Sequence, residues 1–257
     1  DENNLCENND VNVYFMGFRP FWHKSSGRAL EVHEYQSLST GKLPKFKNLI
    51  KRKFNKIPAG RIFLNEIVHR EFSFEKSTPY ICRDMGVDED FFCLTPSIHS
   101  YDIVYSGSIS GRSGLLNEIK RLSDMGFRIL VIGEISIVEL QFFGKRHNIE
   151  FTGRLPRSEL PALYRKCKAG LNFTPDIYPF NIQTSTKTLE YLASGLSVIS
   201  NRYKWAVDFS AAVGVNMIYT DEITNYFDMI PVGKLPIEYE WGRLLDRSGF
   251  FEFISNI

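Results

Sequence analysis

Lys187 and Glu190 stand three residues apart in NIQTSTKTLEYLASGLSVIS (Asn181–Ser200), where a polar loop runs into a short helix, a glycine ends it and an apolar strand follows. Residues three apart are neighbours on a helix, and on spacing alone such a pair is first a surface ion pair worth a few tenths of a kcal/mol. The surroundings are not surface-like. Leu189, Leu192 and Ala193 are placed to face a core, and the helix starts in a loop of Asn, Gln, Thr and Ser. A carboxylate one turn into a helix can accept two vicinal sugar hydroxyls, and a lysine beside it can meet a phosphate. The pair therefore also suits a ribose diphosphate, with Asn181, Thr184 and Ser185 of the loop as further candidate contacts.

A second candidate is YSGSISGRSGLLNE (Tyr105–Glu118), where Gly107, Ser108, Gly111 and Arg112 lead into a helix. Glycines let backbone N–H groups approach a phosphate, a helix N-terminus favours negative charge, and an arginine can pair with a diphosphate. Gly107 and Gly111 are four apart, so this is not G-x-G-x-x-G, and taken alone the loop is first an ordinary strand-to-helix connection.

Apolar, β-branched runs at 103–105, 128–132, 149–151, 169–173, 196–199 and 216–219 alternate with helical patterns. In LLNEIKRLSDMG, Leu115, Leu116, Ile119 and Leu122 form one stripe closed by Gly126. RSELPALYRKCKAG is expected to start at a Ser158 cap with Pro161 in its first turn. Short buried strands alternating with helices predict a parallel sheet covered on both faces, binding ligands at the carboxyl ends of its strands. Before residue 100, NVYFMGF, ALEVHEY, GRIFLNE and TPYICR read as strands, with one clear helix over 46–54. The expected division is residues 1–98 as a partial first domain and 99–257 as a second, with the boundary at the Pro-Ser turn of 96–100.

Composition sets the limits. The chain has 257 residues, 43% hydrophobic and 24% charged, enough to bury a core. A net charge of +1 gives no global electrostatic case for nucleic acid. Cys6, Cys82, Cys93 and Cys167 contain no C-x-x-C pair, which argues against zinc and a disulfide framework and for a reducing, cytoplasmic setting. His23, His69, His99 and His147 show no metal-ligand spacing, so no metal is expected. The polar start, DENNLCENND, is unlike a signal peptide and has no initiator Met, so the chain is expected to be processed or part of something longer. Residues 42–56 hold seven Lys or Arg and no acid, with Phe46, Leu49, Ile50, Phe54 and Ile57 near helical spacing. Two readings stand: a basic amphipathic helix on an anionic membrane, or the solvated face of a core helix.

The order of these motifs resembles the donor domain of GT-B-fold glycosyltransferases, most closely family 4. The series is the glycine loop with Arg112, RILVIGE, NIEFTGRLPRSELPALYRKCKAGLNFTP, then PFNIQTSTKTLEYLASGLSVIS, over about residues 101–205. EYLASGLSVIS matches the family's E-Y-x-A-x-G-x-P-V-I segment, with Ser197 where Pro is usual. The resemblance implies an α/β GT-B enzyme that transfers a sugar with retention and without a metal, from a UDP- or GDP-sugar to a glycan or lipid-linked acceptor in surface polysaccharide synthesis. It implies that Glu190 holds the ribose, that Arg112 and Lys187 meet the diphosphate, and that Gly153 and Arg154 lie against the base. Two departures bear on it. Ile182 stands where the family's first glutamate touches the donor sugar, and Ser108 follows Gly107 where Arg is frequent.

Before residue 100 the resemblance is weaker. Met85-Gly86-Val87-Asp88 is similar to the family's N-G-V-D turn, and ALEVHEYQS is similar to a strand whose His points at the cleft, implying that His33 touches donor sugar or acceptor. A structural His–Glu hydrogen bond is the plainer reading of those residues. EYEWGRLLDRSGFFEFISN is expected to form a terminal helix, which in the family returns to the first domain. Because that domain is about half present, a non-catalytic sugar-nucleotide-binding protein or a partner-dependent subunit stays open, and a GT-B epimerase is a third reading.

Overall fold

The computed structural model describes residues 8, 10–15, 17–74, 77–92, 98–110, 112 and 114–257. The chain divides into two compact units, Gly86–Glu240 and a unit made of Asp1–Met85 with Trp241–Ile257.

In the first unit the described residues form strands β1 (Val11–Phe15), β2 (Leu30–Tyr35), β3 (Gly60–Phe63) and β4 (Tyr80–Cys82), with helices α1 (Pro44–Phe54) and α2 (Glu66–Phe72). The strands pair in parallel in the order β1-β2-β3-β4, with Val13 opposite Val32, Glu34 opposite Ile62 and Ile62 opposite Ile81. Val32, Tyr35, Ile62, Phe63, Val68 and Phe72 are buried, and Tyr35 stacks on Phe63 with ring centroids 5.3 Å apart. Helix α2 is an addition to the sequence reading, which ran strand through to Glu66. Asn65 caps the helix by accepting a hydrogen bond from the Val68 N–H, and this turns strand into helix.

The second unit carries β5 (Tyr101–Ser106), α3 (Leu115–Asp124), β6 (Ile129–Ile132), α4 (Ile137–Phe143), β7 (Ile149–Gly153), α5 (Leu160–Tyr164), β8 (Cys167–Asn172), α6 (Thr186–Ala193), β9 (Ser197–Ser200), α7 (Lys204–Val213) and β10 (Ile218–Tyr219). All six strands are parallel, in the order β10-β9-β8-β5-β6-β7. The chain moves outward from β5 to β7, then crosses back to β8 and outward the other way. The neighbours β5 and β8 therefore make the switch point, outside whose carboxyl ends such sheets bind ligands. The expected stripe of α3 is real: Leu115, Ile119 and Leu122 are fully buried in one cluster with Ile103, Ile129 and Val131. Ser158 is not a cap. A 3-10 turn over Arg157–Glu159 runs directly into α5 with Pro161 in its first turn, and no side chain caps it.

The last residues fold as two helices rather than one, α8 (Trp241–Arg247) and α9 (Phe250–Ser255), broken at Gly249 with φ +67°. Both belong to the first unit, where Phe253 and Ile257 cover Gly60 so closely that a Cβ there would lie 2.7 Å from each. The observed division differs from the one expected at 98/99. Val87 N–H donates to the Tyr239 carbonyl at 2.9 Å and Phe91 packs on Tyr164, so 86–92 fold with the second unit. The Pro96 end of the expected boundary lies outside the described residues.

Candidate functional site

Within the second unit, a cavity of about 490 Å³ opens at the carboxyl ends of β5, β6 and β7. Ser106, Gly107, Ser108 and Arg112 line it from the end of β5, Ile132, Gly133 and Glu134 from β6. Arg154, Leu155, Arg157 and Leu160 follow β7, and Thr186, Lys187 and Glu190 come from α6.

Glycines let these tips meet. Gly107 N–H donates to the Ile132 carbonyl and Gly133 N–H to the Gly153 carbonyl, both at 2.9 Å. A Cβ on Gly133 would sit 2.2 Å from the Gly107 carbonyl oxygen. Gly107 itself has φ +123°, a conformation L side chains rarely adopt, and faces the Lys187 ammonium.

Helix α6 is fixed at both ends. The Ser185 hydroxyl accepts from the Thr188 N–H and donates to the Asn172 side-chain oxygen at 3.0 Å, while Asn172, fully buried, donates to Tyr203 at 2.9 Å. One turn on, the Tyr191 hydroxyl accepts from the Ser106 N–H at 2.9 Å. The Tyr191 ring lies on Gly170 of β8, where a Cβ would come within 2.1 Å of it. The helix is thus locked across β5 and β8, and the side chains of its first turns are aimed with it.

Lys187 and Glu190 are not a surface ion pair. The Lys187 ammonium is closed off from solvent although the residue is not fully buried, and among the described residues it has no hydrogen-bond partner. It sits 4.2 Å from the centroid of the Tyr105 ring. Burial, aided by Arg112 and opposed by Glu190, brings its pKa down to about 7. Glu190, 5% exposed, is paired instead with Arg157, whose Nη1 is 2.7 Å from Oε1. The Tyr164 hydroxyl lies 3.4 Å from Oε2. Arg157 also donates through Nε to Asp88 at 2.7 Å. Burial raises the Glu190 carboxyl above its ordinary range, with Arg157 and then Tyr164 opposing the shift. For Arg157, burial works against the charge, but the Asp88 and Glu190 carboxylates outweigh it and raise its pKa.

The structure gathers Gly107, Ser108, Arg112, Arg154, Lys187 and Glu190 around one cavity. Gly153, φ +72°, lies just outside the lining and turns the chain into Arg154. Ser185 acts as a helix cap, and neither it nor Asn181 nor Thr184 lines the cavity. Gly111 lies outside the described residues. His33 belongs to the first unit, fully buried on β2, with Nε2 3.6 Å from a Glu31 oxygen. Burial lowers its pKa to about 4, against the pull of Glu31, so the ring is neutral. Arg157 and Glu134 are additions to the sequence reading, which held Asp88 only as the end of a turn and did not place Tyr164 at the site. In GRLPRSEL only the first arginine had been weighed, although the second stands three residues on, where a helical turn begins. Among the described residues no three of His, Cys, Asp or Glu come together to hold a metal ion.

An anionic ligand complements this cavity. It offers cationic side chains and one buried carboxylate, the complement of a phosphate next to a polyol. Residues 112–228 match the sequence profile of a family described as glycosyl transferase-like. No curated protein matches the chain. Among solved structures, sucrose-phosphate synthase from Thermosynechococcus elongatus is similar at 13% identity and TM-score 0.64, over 89% of this chain and 69% of that one. AviGT4, a glycosyltransferase involved in avilamycin A biosynthesis, is similar at 12% identity and TM-score 0.55, over 89% of this chain and 68% of that one. HepE from Anabaena, solved with UDP and glucose, is similar at 14% identity and TM-score 0.55, over 75% of this chain but 58% of its own length. The sequence resemblance thus holds at the level of architecture: the chain has the fold of the GT-B glycosyltransferases, and its residues 112–228 are a glycosyl transferase-like segment.

Proposed function

We propose that the chain binds a nucleoside diphosphate sugar in this cavity and transfers the sugar, with retention and without a metal, as the family-4 resemblance implies. The observation that carries this is the Lys187 ammonium, shut away from water beside the Tyr105 ring at the tip of β5, with no hydrogen-bond partner among the described residues. A buried cation without a counter-charge is costly, and a diphosphate supplies that charge. Lys187, Arg112 and the amides after Gly107 neutralise the leaving diphosphate as the glycosidic bond breaks, the electrostatic contribution that usually dominates such catalysis. Glu190 accepts the ribose hydroxyls, and Arg154 borders the base. The HepE structures, with UDP and with UDP-glucose, agree with this choice of ligand class. Incubation with UDP- and GDP-sugars and a glycan or lipid-linked acceptor should release the free nucleoside diphosphate. Binding without turnover would favour a non-catalytic sugar-nucleotide-binding protein, which Ile182, in place of a glutamate, also favours.

The first unit, taken by itself, carries a surface suited to membrane docking. On α1 and just after it, Phe46, Phe54 and Ile57 are exposed among the lysines, and only Asn48 of the helix is buried. The Phe21 N–H donates to the Phe54 carbonyl at 2.9 Å, so exposed Phe21 and Trp22 extend the same patch. An aromatic surface ringed by cations fits an anionic lipid interface, and a lipid-linked acceptor would be met there. No helix among the described residues is long and apolar enough to cross a membrane. The protein should float with phosphatidylglycerol vesicles and not with phosphatidylcholine vesicles, and equal behaviour with both would remove the membrane from this scheme.

A further inference from the structure

We infer that Arg157 is a positioning residue for the nucleotide: clamped by Asp88, it keeps Glu190 ionised and oriented so that the carboxylate presents its remaining acceptor sites to a vicinal diol. The inference deepens the function proposed above and rests on its assignment of Glu190 to the ribose.

The geometry divides the carboxylate. An ionised carboxylate offers about four lone-pair sites on its two oxygens. In Glu190, Oε1 receives Arg157 Nη1 at 2.7 Å and Oε2 faces the Tyr164 hydroxyl at 3.4 Å. One site on each oxygen is left, which is the demand of two adjacent hydroxyls. Glu190 lines the cavity although only 5% exposed, so the carboxylate borders space that a ligand can enter.

Arg157 is itself held. Its Nε donates to Asp88 at 2.7 Å, and its guanidinium carbon lies 5.4 Å from the centroid of the Phe91 ring. Asp88 and Phe91 stand on the segment that opens the second unit, and Arg157 stands in the 3-10 turn that starts α5. The fork is therefore braced by two separate stretches of chain before it reaches α6. A lysine could supply the charge but not both directed donors.

Charged and titratable groups surround Glu190 on every element packed against it. They are Arg157 and Tyr164 around α5, Asp88 on the opening segment, Tyr191 and Lys187 on α6 itself, and Arg112 beyond Lys187. Burial favours the neutral acid and Arg157 is the main group opposing it. Without the guanidinium, burial would favour the neutral acid further, and a proton on the carboxyl would remove an acceptor site where the diol needs one.

The test is the affinity for UDP and GDP, each compared with the analogue lacking both ribose hydroxyls, in wild type, Arg157→Gln and Arg157→Lys. Arg157→Gln should weaken the diphosphate by about tenfold or more at neutral pH, the loss expected when a directed, charged hydrogen bond goes. The dideoxy analogue should be nearly unaffected. Arg157→Lys should recover part of the loss. The ratio of variant to wild-type Kd for the diphosphate should shrink as pH rises and Glu190 ionises unaided, and the dideoxy analogue measured at each pH accounts for any change at Lys187. Equal losses for both members of a pair, constant with pH, would overturn the inference and mark Arg157 as a direct phosphate ligand or a structural residue. If wild type binds the diphosphate and its dideoxy analogue equally, the ribose assignment of Glu190 fails first, and this inference with it. Melting curves of both variants exclude unfolding as the cause; at 53% exposure the Arg157 side chain is not a core element.

Discussion

Lys187→Met should weaken nucleoside diphosphate binding by roughly a hundredfold and at the same time raise the melting temperature of the ligand-free protein. Both effects come from one atom. The ammonium is buried with no hydrogen-bond partner among the described residues, so the empty site bears its desolvation cost and the occupied site gains a charge-assisted contact. Loss of one such contact in a dry site costs about 2–4 kcal/mol of binding, roughly a hundredfold or more in Kd. Methionine keeps the stem's packing and drops the charge. A gain of even about 1 kcal/mol moves the melting point of a chain this size by about 2–4 °C.

The pH dependence follows with a definite sign. Unfolded, the lysine titrates near its ordinary value; folded, it titrates at about 7. Between those values the unfolded chain binds more protons, so the stability of the empty protein rises with pH from about 7 towards 10, and the penalty is complete below 7. Lys187 contributes this rise, so the methionine variant should lose that contribution, and a saturating diphosphate should flatten it by holding the lysine charged. A wild-type and a Lys187→Met profile of the same slope over that window would show that the ammonium finds solvent or a counter-charge.

Glu190→Ala should give the second large effect, a loss of nucleotide affinity of about a hundredfold or more with little change in fold. Two hydroxyl contacts to a charged acceptor are removed together, each worth about 1.5 kcal/mol or more. The fold tolerates the change because the stranded partner is not stranded: Arg157 is half-exposed and keeps its bond to Asp88. The raised pKa of Glu190 means that burial of its carboxylate costs stability at neutral pH; the stability it lends is present in acid and lost as pH rises through its folded pKa. The alanine variant should therefore melt no lower than wild type at pH 7. A variant that fails to fold would instead identify Glu190 as a structural member of the Arg157–Asp88–Tyr164 cluster.

Much of the fold was legible because parallel, doubly covered strands leave a plain trace. The apolar runs around Val104, Val131, Leu171 and Val198 each mark a buried strand, and the Leu115–Ile119–Leu122 stripe marks the helix between two of them. Local signals did less well where two short elements abut. Asn65 ended a strand that composition alone carried through Glu66, and Gly249 split a terminal pattern whose apolar spacing ran on. The site was legible where a motif joins residues within one segment, as at Lys187 and Glu190. It was not legible where burial decides chemistry. Nothing in the spacing says that Glu190 is paired with an arginine about thirty residues earlier rather than with Lys187, because that choice depends on where β7 and β8 put their loops. Ser185 shows the converse: a polar residue in a plausible binding loop is consumed by a helix cap and by Asn172.

Titration calorimetry with UDP, GDP and ADP, each beside its parent nucleoside, tests the diphosphate pocket most directly. One diphosphate should bind at a single site, with its nucleoside weaker by about a hundredfold, and Lys187→Met should bring the two to similar affinities. No binding of any diphosphate, or a nucleoside that binds as tightly as its diphosphate in wild type, would contradict the claim that the end of β5 and the start of α6 form a pyrophosphate site.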